Sequence, residues 1–497
     1  MSSVGRSLVV VVFLAAGCGD NLDGLSGGPD GAPAADGSAV PLPCDPSEVA
    51  ERLDTLPGVA SSREITCGAS VVLPARCFAI KMNQPVDHAQ PDGPTFPQYL
   101  TLVHRGCDRP TLVADWGYSN EFTYDVELSL YYGTNNLWIE HRFQGKSQPA
   151  ADDWDWRALT IENAAADMHQ VIAAFRQLYP GRWVSTGVSK GGITATYHKY
   201  FFPDDVDGAI AYVAPASRAR VDPAYQDFLQ QRLPAACGDR VRDVQVAALT
   251  TRRDMMLDRL TPYTGAGGEA VGLELLTRTL DWGFWQAWGA DHCSEVPRAT
   301  ATDARFWAFY LDFSPLAYTQ PGPAEEERAS GALYYEWLTE QGFALEVNSR
   351  VAPLLEEPEA KKTMEDSFRA MFPAVTLPAY DGSVTAAVRA WVRDQADDLL
   401  LVYGQYDPWS GGALAAPAQP SSGRFTVPAA THEAQIGLLG DEDRTAALAI
   451  ATRFFGTEPD LGQAPAAVRA GAVHHQLLQR QMLFDLATPL RLRLRRR

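Results

Sequence analysis

Short apolar runs recur along the chain at the lengths typical of buried β-strands. Between the third and fourth of them, residues 161–178 place apolar side chains at helical spacing. Short buried strands that alternate with amphipathic helices predict a mainly parallel sheet with helices on both faces. The runs are 100–103, 111–114, 136–139, 183–186, 209–213, 399–403 and 424–427.

The pattern becomes helical between the fifth and sixth runs. Residues 218–395 form one helical segment after another and are rich in tryptophan and tyrosine. A chain of 497 residues is also too long for one compact core. We therefore expect a large helical domain inserted into an α/β core, whose two parts we place at 44–217 and 396–460.

The N-terminal residues predict export. Arg6 precedes an apolar run at 8–16, which is shorter than the ~20 residues that a membrane-spanning helix needs. Residues 1–17 therefore predict a signal peptide. Its Ala-Ala-Gly-Cys ending resembles a bacterial lipobox, in which Cys18 is lipidated and anchors the chain to a membrane, and plain secretion is the alternative. Residues 18–43, rich in Gly, Ala, Asp, Pro and Ser, predict a disordered tether.

The C-terminal residues 461–497 combine a helical segment, which contains His474 and His475, with a basic tail. We expect the tail to be a solvated end, and contact with an acidic surface or anionic lipid is the alternative. The whole chain carries a net charge of -19, which argues against nucleic acid as a partner. A peptide with a free amino terminus fits this charge, although an acidic composition also serves solubility.

The cysteines agree with export. Without Cys18, six of the seven remain, and an even number in an exported chain favours disulfides. We expect Cys237 to pair with Cys293 and the other four to pair among themselves, with unpaired buried thiols as the alternative. Those four are Cys44, Cys67, Cys77 and Cys107.

The most informative motif is Gly-Val-Ser-Lys-Gly at 187–191, between a predicted strand and a predicted helix. A G-x-S-x-G in this place is typical of the nucleophile elbow of α/β-hydrolases. The turn strains the backbone of the serine, here Ser189, and only glycines leave room around it. The helical insertion lies where α/β-hydrolases carry a cap, after the sixth strand.

A serine nucleophile needs a histidine to accept its proton and a carboxylate to orient that histidine. In α/β-hydrolases these follow the serine in the order Asp or Glu, then His, at strand ends after the cap. Asp407 lies in the loop after the strand at 399–403. His432 is the histidine that follows the last strand, so Ser189, Asp407 and His432 are the predicted catalytic residues.

The oxyanion hole needs two backbone amides. The amide of Lys190, directly after the serine, is the first candidate. Gly117 or Tyr118, in the turn after the strand at 111–114, supplies the second. The Lys190 ammonium is also able to pair with a carboxylate of the cap.

Other chemistries lack support. There is no H-E-x-x-H, no P-loop motif and no C-x-x-C pair. Adjacent histidines such as His474 and His475 cannot put both rings on one helical face. We expect neither a metal nor another cofactor.

Five segments together resemble serine peptidase family thirty-seven, which is distantly like the lysosomal prolyl carboxypeptidases. They are 84–88 (QPVDH), 95–99 (TFPQY), 140–143 (EHRF), 185–197 (STGVSKGGITATY) and 211–215 (AYVAP). By this likeness, Ser189, Asp407 and His432 match the family triad. The turn at 115–118 departs from the family pattern.

The resemblance implies an exported enzyme that removes short peptides, often tripeptides, from a free amino terminus, with proline before the cut. Aromatic rings in the cap would stack on that proline, and cap carboxylates would hold the substrate ammonium. The sequence does not single out which carboxylates. An esterase or lipase with the same triad, and an inactive surface binding protein on this scaffold, are the alternatives.

Overall fold

The computed structural model describes residues 48–120, 122–150, 153–264, 268–314, 325–344, 347–464 and 466–468. The predicted signal peptide, the tether with Cys18, and Cys44 lie outside the described residues. The same holds for His474, His475 and the basic tail.

A sheet of nine strands forms the core. Its spatial order is β1-β2-β3-β5-β4-β6-β7-β10-β11. β1, β2 and β3 are antiparallel to their neighbours, and the strands from β5 to β11 are parallel. The strands are β1 (Val59–Ile65), β2 (Arg76–Pro85), β3 (Thr95–His104), β4 (Thr111–Asp115), β5 (Asn135–Ile139), β6 (Trp183–Val188), β7 (Gly208–Tyr212), β10 (Leu399–Gly404) and β11 (Gly423–Val427).

Helices cover both faces of this sheet, as expected when strands are buried on both sides. One face packs on α1 and α3, and the other packs on α2 and α15. α4 follows β6 directly and packs with the inserted helix α14 beneath β7 and β10. The core helices are α1 (Val49–Leu53), α2 (Glu127–Tyr132), α3 (Ile161–Phe175), α4 (Lys190–Phe201) and α15 (Asp441–Phe455).

Ten helices lie between β7 and β10 among the described residues; nine of them form the cap, and the last, α14, packs on the core sheet. Most of the cap helices pack on each other around a separate aromatic core that includes Trp285, Phe306 and Tyr310. The ten helices are α5 (Ala224–Gln231), α6 (Ala235–Leu249), α7 (Arg253–Thr264), α8 (Glu269–Arg278), α9 (Leu280–Ala287), α10 (Asp303–Phe313), α11 (Glu325–Glu336), α12 (Pro358–Lys361), α13 (Met364–Met371) and α14 (Ser383–Asp394). A short parallel pair, β8 (Val221–Asp222) and β9 (Phe343–Ala344), accompanies them.

The predicted α/β-hydrolase fold with a helical cap is confirmed. β1 is an additional edge strand, so β7 is the sixth strand when β2 is counted as the first. The apolar pattern did not predict β1, which is exposed or half-buried along its whole length. It also did not predict β2, in which polar residues interrupt the apolar ones. The described helices include none that is long and apolar enough to cross a membrane.

The disulfides support the predicted framework. Cys237 is bonded to Cys293 within the cap, as predicted. Cys67 is bonded to Cys77 beside β2. Cys107 is also disulfide-bonded.

Candidate active site

Ser189 stands at the turn between β6 and α4 in a strained conformation. Its φ of 58° and ψ of -124° are unfavourable for a residue with a side chain. The end of β6 and the start of α4 are in close contact on either side of Ser189, because a Cβ at Gly187 would lie 2.2 Å from the carbonyl carbon of Gly191. A Cβ at Gly192 would lie 2.8 Å from the carbonyl oxygen of Tyr212. Gly187 and Gly192 are therefore required by close packing, and the turn has the geometry of a nucleophile elbow.

Asp407 and His432 form a buried pair at the same edge of the sheet. Asp407 lies just after β10 and His432 just after β11, at the carboxyl ends of parallel strands. The Nδ1 of His432 lies 2.9 Å from Oδ2 of Asp407. Asp407 is fully buried and His432 is 2% exposed. When Nδ1 donates this bond, Nε2 is left as the basic nitrogen, which is what a general base needs.

Gln286 of cap helix α9 connects to both of these loops. Its backbone carbonyl accepts a bond from the amide of His432 at 3.1 Å. Its side-chain oxygen accepts the indole N–H groups of Trp282 and Trp409, each at 3.0 Å. The amide of Trp409 in turn donates to Asp407 Oδ1 at 3.1 Å. The cap therefore helps to position the carboxylate and histidine loops.

A narrow cavity of about 30 Å³ opens beside Ser189, between the core and the cap. Aromatic side chains from both parts line it, including Tyr118, Trp337, Phe343 and Trp409. The Trp409 ring also lies 6.2 Å from the ring of His432, centroid to centroid. Trp409 therefore connects the space beside the serine with the Asp407–His432 pair. Trp337 begins a turn of π-helix that directly follows α11, and such turns are frequent at functional sites.

The oxyanion prediction needs a correction at Gly117. Its amide donates to Asp115 Oδ1 at 2.8 Å, so its hydrogen points into the protein and is not offered to a substrate. The glycine is instead required for space, because its φ is 76° and a Cβ would lie 2.6 Å from Cγ of Lys190. The backbone amide of Tyr118 therefore remains the candidate for the second donor of the oxyanion hole. Tyr118, Ser189 and Lys190 line the same cavity.

A buried ionic network lies behind the serine. The Lys190 ammonium lies 2.8 Å from Oε2 of Glu336, at the end of cap helix α11, which is the pairing with a cap carboxylate that the sequence left open. Glu336 Oε1 also accepts from Nε2 of His141 at 2.7 Å. The Nδ1 of His141 donates to Asp115 at 2.8 Å. All four side chains are at least 97% buried.

The charges of this network stabilise one another. Burial lowers the pKa of His141, and the positive charge of Lys190 lowers it further. The carboxylates of Asp115 and Glu336 outweigh both effects and raise this pKa to about 9. Burial raises the pKa of Glu336, but Lys190 and His141 lower it to about 2. The Glu336 carboxylate is therefore ionised and already paired with two cationic side chains. This makes it a poor candidate for holding a substrate ammonium.

Sequence reasoning missed Asp115, His141 and Glu336. His141 belongs to the EHRF string at 140–143, which carried only the family likeness and had no assigned role. Glu336 had no signal at all, because only the fold brings the end of α11 to the elbow. Among the described residues, no cluster of His, Cys, Asp and Glu has the arrangement of a metal site.

The fold and this site define a serine hydrolase of the α/β-hydrolase class. The model of the family described as PS-10 peptidase S37 matches residues 44–487, so the chain belongs to that family and is a serine peptidase. The chain is 30% identical to a prolyl tri/tetrapeptidyl aminopeptidase of Streptomyces mobaraensis, over 87% of this chain and 90% of the relative.

Two solved structures show the wider likeness. A feruloyl esterase B from Aspergillus oryzae is 13% identical, with 81% of this chain and 88% of that chain covered and a TM-score of 0.35. A proline iminopeptidase of Mycobacterium smegmatis is 14% identical, with 82% and 99% covered and a TM-score of 0.31. Likeness at this level carries no argument about function.

Proposed function

We propose that this serine peptidase is an aminopeptidase that releases short peptides from a free amino terminus, with proline before the cut. Ser189 attacks the carbonyl carbon of the scissile bond, and His432 accepts the serine proton and later delivers it to the leaving amine. Asp407 orients the ring and stabilises its positive charge. An acyl-enzyme on Ser189 then reacts with water, which regenerates the serine.

The observation that carries this proposal is the 2.9 Å contact between His432 and Asp407 at the sheet edge that also holds the strained Ser189. Two features support an exopeptidase. The cap covers the serine, and the cavity beside it is narrow and aromatic. Aromatic walls suit a proline ring. The name of the Streptomyces relative agrees with release of three or four residues and with a role for proline.

A panel of chromogenic peptides tests the activity. We expect cleavage of Xaa-Xaa-Pro substrates with a free amino terminus and loss of cleavage when that terminus is acetylated. Ser189→Ala should lower kcat by at least about 10³-fold, and a fluorophosphonate should label the wild type only. A short-chain ester run in parallel tests the esterase alternative, which would be favoured if the ester were cleaved much faster than every peptide.

We also propose that the protein is exported and anchored by a lipid on Cys18. The short apolar run at 8–16 and the Ala-Ala-Gly-Cys ending support this, and the disulfides fit an oxidising compartment. Mass spectrometry of the mature N-terminus tests it. A lipid mass on Cys18 is expected, and Cys18→Ala should release the protein from the membrane fraction. If the mature N-terminus carries no lipid in the wild type, as in Cys18→Ala, plain secretion is favoured.

A further inference from the structure

We propose that the Lys190 side chain, held by Glu336 of the cap, is a positioning residue that aims the Tyr118 amide into the oxyanion hole. This inference rests on the proposed function and deepens it. It assigns a role in the oxyanion hole to the Lys190 side chain, whereas only the Lys190 backbone amide was expected to contribute there.

The Lys190 side chain contacts one peptide unit of the turn after β4. The Lys190 ammonium donates to the carbonyl oxygen of Gly117 at 2.9 Å. That carbonyl and the amide of Tyr118 belong to the same peptide bond, which is trans. In a planar trans peptide the C=O and the N–H point in opposite directions. A side chain that fixes the Gly117 oxygen therefore also fixes the direction of the Tyr118 N–H.

Further contacts hold in place the turn that contains this peptide unit. The Gly117 amide is tied to Asp115 at 2.8 Å. The methylene chain of Lys190 passes directly over the α-carbon of Gly117, where a Cβ would lie 2.9 Å from Cδ of the lysine. On the other side of the turn, a Cβ at Gly191 would lie 3.0 Å from Cα of Trp116. The turn after β4 and the first turn of α4 are therefore packed as one unit.

The charge of Lys190 adds to this geometry. An ammonium on a carbonyl oxygen polarises the whole amide, and in a buried site this strengthens the bond that the N–H donates. Glu336 holds the ammonium in place and offsets its charge, and His141 holds Glu336 through the other carboxylate oxygen. The second oxyanion donor therefore depends on a carboxylate of the cap, which connects the cap to the chemistry.

Lys190→Met tests the inference, because methionine keeps an apolar chain of similar length and removes the ammonium. We expect kcat for the best peptide substrate to fall about 10- to 100-fold, as for loss of an oxyanion donor or slightly less. KM should change little. The inhibition constant of a peptide boronate, which mimics the tetrahedral intermediate, should rise by a similar factor, and that of the product peptide should not.

Lys199→Met is the matched control. Lys199 lies in the same helix, is 6% exposed and donates to two backbone carbonyls, those of Pro203 and Val206, at 2.8 and 2.9 Å. It does not line the cavity beside Ser189. We expect Lys199→Met to lose stability while kcat and boronate affinity per folded molecule stay as in the wild type.

Glu336→Gln is the second variant, and it decides the matter if Lys190→Met does not fold. It keeps the side-chain shape and should lower kcat and boronate affinity together, by about 3- to 10-fold, because the ammonium loses its anchor. Either variant overturns the inference if its folded form keeps kcat and boronate affinity within twofold of the wild type. If the wild type itself neither cleaves peptides nor reacts with a fluorophosphonate, the proposed function fails instead.

Discussion

His141 and Arg142 are neighbours after β5, yet they build two separate buried ionic clusters. The His141 cluster, with Asp115, Glu336 and Lys190, joins the cap to the turn behind the nucleophile. The Arg142 cluster lies within the core. Its guanidinium bonds both oxygens of Asp167 on α3, at 2.8 and 3.0 Å, and donates to the backbone carbonyls of Pro85 and Val86.

The difference lies in what each cluster connects. Arg142 is fully buried among backbone carbonyls and ties α3 to the sheet. His141 belongs to a chain of charges that ends at the residue after Ser189. Similar chemistry at adjacent positions therefore supports stability in one case and, by our inference, the oxyanion hole in the other.

The largest effect is expected from Arg142→Met. It leaves the Asp167 carboxylate buried without its main partner, which should cost about 3–5 kcal/mol of unfolding free energy. Urea unfolding measures this, and kcat per folded molecule should stay unchanged. Arg393→Met is the control, because the Arg393–Asp394 pair is largely exposed and its loss should change the unfolding free energy far less. A loss of kcat in correctly folded Arg142→Met would break the comparison.

Both clusters should weaken on acidification, because the pKa values of Glu336 and Asp167 are lowered, whereas the raised pKa of His141 makes its cluster weaken at alkaline pH as well. The pKa of His141 is raised from 6.5 to about 9, so its contribution is complete below pH 6.5 and is lost as the pH rises through 9. Burial raises the pKa of Asp167, but Arg142 lowers it below its ordinary 3.8, so its contribution is lost on acidification. Since one pKa unit corresponds to about 1.4 kcal/mol, the alkaline loss should be on the order of 3 kcal/mol.

Unfolding of wild type and His141→Gln between pH 6 and pH 10 (a range of about four units around the raised pKa) measures the alkaline loss. The wild type should lose stability across this range, and the variant should lose much less. Parallel curves for the two proteins would contradict the assignment of a charged imidazole to this network.

Gly117→Ala tests the close packing behind the serine. The new methyl group would meet the Lys190 chain at a backbone φ of 76°, so we expect a cost of about 1–3 kcal/mol and a clear loss of kcat. Gly283→Ala in α9 is the control, since nothing lies within 4 Å of its added methyl. That change should be neutral or slightly stabilising, by up to about 1 kcal/mol. Equal effects of the two substitutions would show that the turn tolerates a side chain.

The smallest effect is expected from Gln286→Ala, at a neutral contact between cap and core. It removes the acceptor of the Trp282 and Trp409 indoles, which should cost about 1–2 kcal/mol. The bond from His432 to the Gln286 backbone remains, so kcat should fall less than in Glu336→Gln. Thermal unfolding and peptide kinetics measure the two effects. A kcat loss larger than that of Glu336→Gln would show that catalysis depends more on the Gln286 contact than on the Lys190–Glu336 ion pair.

Much of the fold was predictable from local pattern. The buried parallel strands are almost wholly apolar, so β4, β6, β7 and β10 appear as apolar runs, and the change to helical periodicity marks the cap. β1 was missed because a half-exposed antiparallel strand at an edge carries a weaker apolar signal. β2 is mostly buried, but the polar residues Lys81, Asn83 and Gln84 interrupt its apolar run. The pairing of Cys237 with Cys293 was also expected, and the structure confirms it.

The candidate site divides in the same way. Ser189 was recognisable because the elbow needs glycines at fixed spacing, and Asp407 and His432 because parallel strands bring their carboxyl ends to one edge in a known order. The catalytic role of Ser189 is a proposal that the Ser189→Ala kinetics test, and the roles of Asp407 and His432 belong to the same proposal. That the Gly117 amide bonds to Asp115, and that Glu336 reaches Lys190, was decided only by the tertiary structure. Side chains from segments more than 100 residues apart leave no local pattern, and their contact exists only once the cap has packed on the core.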